Sequence, residues 1–233
     1  MPPPVPPRSR QIEDYLKVIY SMAERATESV TTSGLSERLG LSASSVSGML
    51  RRLATAGLVD HQPYGGITLT DVGRAAALAV VRRHRLLEMF LVARLDYGWD
   101  EVHDEAEELE HAVSDRLLER IDAALGRPEF DPHGDPIPTP HGTLPDLHAQ
   151  RLSTLEAGRA GVLVRVDDHD PRVLQHLDEV GIGLGARIEL VHPLPFDGGW
   201  LVRVSTGDDP EPGAASEHRF PSALAGALWI GPG

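Results

Sequence analysis

The 233-residue chain contains no cysteine. That excludes disulfides, thiolate metal sites and cysteine nucleophiles, and makes the cytoplasm the expected compartment. Lys17 is the only lysine among 22 basic residues, an arginine bias that points to a GC-rich genome and to no function. No stretch of about 18 consecutive apolar residues is present, so no membrane span and no membrane partner is expected. Residues 1–10 are proline-rich and lack an apolar h-region; they read as a disordered arm rather than a signal peptide. HExxH, a phosphate loop and a nucleophile elbow are missing too. The chain therefore reads as a non-enzyme with no small organic substrate.

The net charge of −13 argues at first against a nucleic-acid partner, but the charge is unevenly spread. Residues 1–94 carry 12 basic and 8 acidic side chains, while the remainder carries 10 and 27. The first part can face phosphates while the rest keeps the protein soluble.

Ile12, Tyr15, Leu16 and Ile19 have the i, i+3, i+4, i+7 spacing of an amphipathic first helix. Thr32 is placed to cap a short second helix with Leu35 and Leu39 inside, ended by Gly40. Ser42 is placed to cap a third, with Val46, Leu50 and Leu53 inside and Gly57 past its end. Two short helices joined at Gly40-Leu41 form a helix-turn-helix. Short apolar stretches on either side of residues 61–66 predict a hairpin, and a hairpin after the recognition helix is a wing. From Thr70 or Asp71 a long helix runs to about Leu95, apolar around much of its circumference, which predicts a dimer interface. Residues 101–125 read as one more helix. Residues 127–150 hold six prolines and are expected to be a linker without a core. Beyond Leu152 the period becomes two, as in a small β-barrel.

Two groups of residues carry function. Ser44, Ser45, Ser47, Gly48, Arg51 and Arg52 face outward on the third helix. Small hydroxyl residues permit close approach to DNA, and the arginines supply charge. Ser42 and the wing residue Tyr64 complete the expected DNA-contact set. The second group is acidic and histidine-rich: His103, Glu107, Glu110 and His111 fall within one quadrant of a helix. His84 and Glu88 form an i, i+4 pair on the long helix, and Asp14 lies beside the apolar stripe of the first. With N and O donors alone, these residues suit Mn2+ or Fe2+, and also accept Co2+ or Zn2+.

The ordered series of motifs resembles the diphtheria-toxin-repressor family of metalloregulators. It comprises Asp14 to Tyr20, Leu35 to Leu39, Ser42 to Ser47, Gly57-Leu58-Val59, Leu69 to Gly73, Arg83 to Glu88, Val102 to Glu105, Glu110-His111 and Gly134 to Pro138. The resemblance implies a metal-dependent, homodimeric repressor of operator DNA with three parts: a winged helix-turn-helix over residues 11–76, an all-α dimerisation and metal-binding domain over 77–140, and, after a linker at 141–151, an SH3-like domain over 152–233. The fold class is thus multidomain α+β. The family's ligand positions imply a primary site of Asp14, Glu107, Glu110 and His111, and an ancillary site of His84, Glu88 and His103, to which Asp168 or Asp170 of the SH3-like domain adds a ligand. Iron-responsive members have Met at the position of Asp14 and Cys at that of Glu107. The carboxylates here match the manganese-responsive members, so Mn2+ is the implied cofactor. Lys17 stands where short manganese regulators place a further acidic ligand, which puts their two-metal arrangement in question. The other readings are an iron-dependent repressor, a winged-helix regulator with an organic effector, a metallohydrolase, and an SH3-like scaffold for proline-rich peptides.

Overall fold

The computed structural model describes residues 9–25, 29–61, 66–196, 198–205 and 215–233. The chain divides into two compact units, Met1–His84 with Pro138–Thr143, and Arg85–Ile137 with Leu144–Gly233.

In the first unit α1 (Arg10–Arg25), α2 (Thr32–Leu39) and α3 (Ala43–Thr55) precede a two-stranded sheet. Tyr15, Leu16 and Ile19 of α1 are at most 2% exposed, so the apolar stripe is the buried face. The cap of α2 is Thr31, one residue before Thr32; its hydroxyl accepts from Gly34 N at 3.1 Å. Gly40 ends the helix in the left-handed region at φ 63°, which glycine enters without steric cost. Ser42 caps α3, accepting from Ser45 N at 3.2 Å. Strands β1 (Val59–His61) and β2 (Ile67–Leu69) pair antiparallel in the register Val59 to Leu69. The tip, including Tyr64, lies outside the described residues.

Helix α4 (Asp71–Leu95) begins with Thr70 accepting from Gly73 N at 3.0 Å and contributes to both units. Leu78, Val80, Val81, Leu86, Leu87 and Leu91 are buried within the single chain. Much of its apolar surface is thus already covered within this chain. On α4 and in residues 115–124 the exposed large apolar side chains are Val72, Leu95 and Leu117, at 37%, 54% and 48%.

The second unit holds the end of α4, α5 (Val102–Leu109) and α6 (Asp115–Ala124). The single helix expected over 101–125 is broken after Glu110, because Ser114 starts α6 as an N-cap, accepting from Leu117 N at 3.2 Å. Residues 127–137 are not a coreless linker. Asp131, His133, Asp135 and Ile137 are all buried. Gly134, at φ 83°, sits so close to the sheet that an added Cβ would strike the carbonyl oxygen of Val164.

Six antiparallel strands follow: β3 (Gln150–Arg151), β4 (Ala160–Val166), β5 (Arg187–Pro193), β6 (Trp200–Ser205), β7 (Ser216–Phe220) and β8 (Leu228–Gly231). Their order is β3-β8-β4-β5-β6-β7. Inward residues such as Leu163, Ile188, Val202 and Phe220 share a core with Leu174 and Leu177 of α7 (Pro171–Glu179) and with Leu224 of α8 (Ser222–Gly226). The small β domain is thus a sheet closed over by two helices.

Candidate metal centre and DNA-contact face

On α3 the apolar period buries Val46, Met49, Leu50 and Leu53, which turns the opposite face outward. Ser42, Ser44, Ser45, Arg51 and Arg52 are exposed, and Ser47 and Gly48 are half-buried. The Ser42 hydroxyl lies 2.9 Å from those of both Ser44 and Ser45, so these three form one polar cluster at the helix N-terminus. A Cβ added at Gly48 would meet nothing within 4 Å. No neighbour within the chain requires glycine there, and in a helix glycine is destabilising by about 1 kcal/mol relative to alanine. Gly48, Arg51, Arg52 and Thr55 line a shallow concavity.

In the second unit, α4, α5 and the turn after β4 converge on His103. Its Nδ1 is 3.2 Å from Glu88 Oε1 and 3.4 Å from Asp168 Oδ2. Its Nε2 is 3.6 Å from Glu107 Oε1, one helical turn on. The Glu88 side chain is 1% exposed and that of Asp168 9%. Burial disfavours a charged His103, but hydrogen bonds and charge from Asp168 and Glu88 outweigh it and push its pKa up to about 10. Buried carboxylates that draw a proton onto an imidazole favour a metal cation for the same electrostatic reason. The donors fit a divalent cation, with oxygen and nitrogen only.

The predicted residues separate as follows. Asp168 stands beside His103, whereas Asp170 does not: it caps α7, accepting from Arg172 N at 3.1 Å, and pairs with the Arg172 guanidinium at 2.6 Å. Those Arg172 hydrogen bonds hold its carboxyl below the usual carboxylate range. Glu107, at 47% side-chain exposure, lies near His103. Glu110 closes α5, with its side chain 1% exposed and its Oε1 3.4 Å from His111 Nε2. His84 stands one turn before Glu88 on α4 and is buried. Asp14 lies half-buried on α1.

Sequence reasoning missed a buried charged group behind this centre. Arg85 donates to Pro136 O at 2.6 Å and to Asp135 Oδ1 at 3.2 Å, and its Nε is 3.6 Å from Asp131 Oδ2. Arg165 pairs with Asp135 and lies over the Trp229 ring. Asp131 Oδ1 accepts from His133 N and Asp135 N, both at 2.9 Å. Burial, then the charges of Asp135 and Glu88, push the Asp131 carboxyl up to about 8. The signal in the sequence was two aspartates and a histidine, Asp131, His133 and Asp135, interspersed with prolines at 132 and 136. Prolines in such a run mark a rigid turn as readily as a linker.

A winged helix-turn-helix, a helical region bearing clustered carboxylates and imidazoles, and a small β domain define a metal-responsive DNA-binding regulator. Residues 9–67 match the family described as the iron dependent repressor N-terminal DNA binding domain. Residues 70–139 match its metal binding and dimerisation domain, and residues 150–209 match the FeoA domain. The iron-dependent repressor IdeR of Mycobacterium tuberculosis is 33% identical over 188 residues, covering 76% of this chain and 81% of that protein. A solved manganese-dependent transcriptional repressor in complex with manganese is 48% identical, with TM-score 0.88, covering 95% of this chain and 99% of the other. The manganese regulator SloR is 33% identical with TM-score 0.77, covering 95% and 98%. The chain belongs to the diphtheria-toxin-repressor family of metal-dependent transcriptional repressors. No helix among the described residues is long and apolar enough to cross a membrane.

Proposed function

We propose that this protein is a manganese-responsive homodimeric repressor whose grip on operator DNA depends on Mn2+. The observation that carries the reading is the donor set: carboxylates and imidazoles without sulfur, including Asp14 and Glu107 where iron-responsive members hold Met and Cys. The 48% identity to a manganese-dependent repressor supports it. Asp14, Glu107, Glu110 and His111 would hold the primary cation; His84, Glu88, His103 and Asp168 would hold the ancillary one. When bound, the cation supplies the positive charge that offsets repulsion among the carboxylates.

In this reading residues 11–76 bind DNA and residues 77–140 dimerise, and residues 152–233 contribute Asp168. Asp14 belongs to the DNA-binding part and Glu107, Glu110 and His111 to the dimerising part. Shared ligation would couple the angle of the recognition helix to metal occupancy. Two recognition helices of a dimer must reach successive major grooves about 34 Å apart, so fixing that angle selects the DNA-binding state. Ligand and DNA then stabilise the same state and each raises affinity for the other. Ser44, Ser45, Ser47, Gly48, Arg51 and Arg52 would contact the duplex.

The test is fluorescence anisotropy of the full chain on its own upstream promoter DNA at fixed ionic strength. Tight binding with Mn2+ and none in chelator is expected. Better activation by anaerobic Fe2+ would move the protein to the iron-dependent reading, which the 33% identity to IdeR favours. Equal binding in chelator and in every metal would leave an organic effector as the switch.

A further inference from the structure

Strand β7 (Ser216–Phe220) ends the six-stranded sheet: it pairs with β6 on one side and has no strand on the other among the described residues. The opposite edge, β3, is two residues long. Natural edges are blunted by bulges, prolines or like charges, because an open row of backbone donors and acceptors pairs with any strand that reaches it. Strand β7 holds no proline, and its register with β6 runs without a break from Ser216 to Phe220. Its charges are of both signs. Glu217 and Arg219 alternate with the buried Phe220, so both lie on the outer face of the sheet, and both are exposed. On that face Glu189 of β5, Arg203 of β6 and Glu217 of β7 stand directly opposite one another. Arg203 Nη1 is 2.7 Å from Glu189 Oε2, and Arg203 Nη2 is 3.2 Å from Glu217 Oε1. The row alternates acid, base, acid, and stops at the edge with the Glu217 side chain still 53% exposed. Arg219 stands across from the apolar Leu201 of β6.

We propose that β7 pairs antiparallel with β7 of a second copy of this chain, about a two-fold axis through His218, making one sheet that runs through both β domains. In that register Glu217 faces the partner's Arg219, and Arg219 faces the partner's Glu217. The edge is thus self-complementary, as a two-fold contact requires. The charge row on the outer face then continues in alternating sign: Glu189, Arg203, Glu217 and the partner's Arg219. Sliding one strand by a single residue would turn the two cores to opposite sides. Sliding it by two residues in either direction sets Glu217 against its own copy or Arg219 against its own copy, and like charges directly opposite are destabilising. The contact is small, five residues a side, and falls below the roughly 1,000 Å2 of a stable interface. It therefore acts where copies are already crowded, at high concentration or side by side on one DNA. It uses none of the metal-binding or DNA-contact residues, so it stands or falls apart from the regulatory reading.

The experiment is analytical sedimentation of the full chain in chelator, from dilute to concentrated, with the wild type compared with Glu217→Arg and Arg219→Glu. Each single change sets like charges opposite one another, so the wild type is expected to reach about twice the mass of either variant at the highest concentration. An equal mixture of the two variants restores unlike charges at both cross-strand positions and is expected to regain the wild-type mass. The same mass for the wild type and both variants overturns the proposal, and so does a mixture that stays as small as its components. Because the chain has no cysteine, an introduced thiol reports the register directly. Under mild oxidation His218→Cys is expected to link two chains about tenfold faster than Ser216→Cys, since only position 218 lies opposite itself. Equal linking rates overturn the proposal even where a charge variant fails to fold.

Discussion

At the scale of the residue, Gly48 is a place where stability and the proposed function pull apart. Open space surrounds its missing Cβ, so Gly48→Ala should raise stability by about 1 kcal/mol, the difference in helix propensity. The added methyl faces the proposed DNA surface, so operator affinity should fall in the same variant. Urea denaturation and anisotropy read the two effects; unchanged affinity would remove Gly48 from the interface. Arg51 and Arg52 are exposed on the same face. If they contact phosphates, Arg51→Ala should flatten the log–log salt dependence of binding by about one unit. His103 gives a third residue-scale prediction. Its pKa near 10 means that the cation-free chain carries a proton there at neutral pH. Ligation requires the neutral ring, so metal uptake should release about one proton at this residue and apparent affinity should rise with pH up to about 10. Titration calorimetry in buffers of different ionisation enthalpy measures that release. A heat that does not change with buffer would mean that His103 is not a ligand.

At the scale of the element, helices were legible where period and cap agree. The stripe Tyr15, Leu16 and Ile19, and the Ser42 cap, are local signals, and local signals survive folding. Residues 101–125 have a helical period throughout, but Ser114 caps a new start, and a strong N-cap overrides continuity. The turn at 131–136 was illegible for a different reason. Its burial depends on Arg85 and Arg165, some 50 and 30 positions away, which no window along the chain joins. Those arginines neutralise Asp135 out of water, where breaking one partner of a buried pair costs about 3–5 kcal/mol. Asp135→Ala should therefore destabilise the chain by that amount, while Asp170→Ala, whose partner Arg172 is exposed, should cost far less. Comparable losses in chemical denaturation would mean that the buried cluster contributes no special stability.

At the scale of the whole molecule, the proposed metal choice rests on two positions far apart in sequence. Replacing both carboxylates by softer donors, Asp14→Met with Glu107→Cys, should shift activation from Mn2+ toward Fe2+. Glu107→Ala alone should abolish metal-dependent DNA binding while far-ultraviolet circular dichroism stays unchanged. Unaltered operator affinity in Glu107→Ala would rule out the bridging arrangement. The exposure of Glu107 makes this test sharp, because a half-exposed side chain can be removed without opening a cavity.

The sequence by itself determined the order of the parts, the apolar faces of α1 to α3, the Ser42 cap of α3 and the chemistry of the donors. All of these follow from local spacing and from the absence of cysteine. Only the tertiary structure decided which aspartate of the β domain stands beside His103. Asp168 and Asp170 are two residues apart and chemically alike, but the second is taken by the α7 cap and by Arg172. Only the tertiary structure brought Asp131 and His133 to Glu88. Long-range convergence depends on which surfaces pack, and packing is a property of the folded chain rather than of any segment read alone.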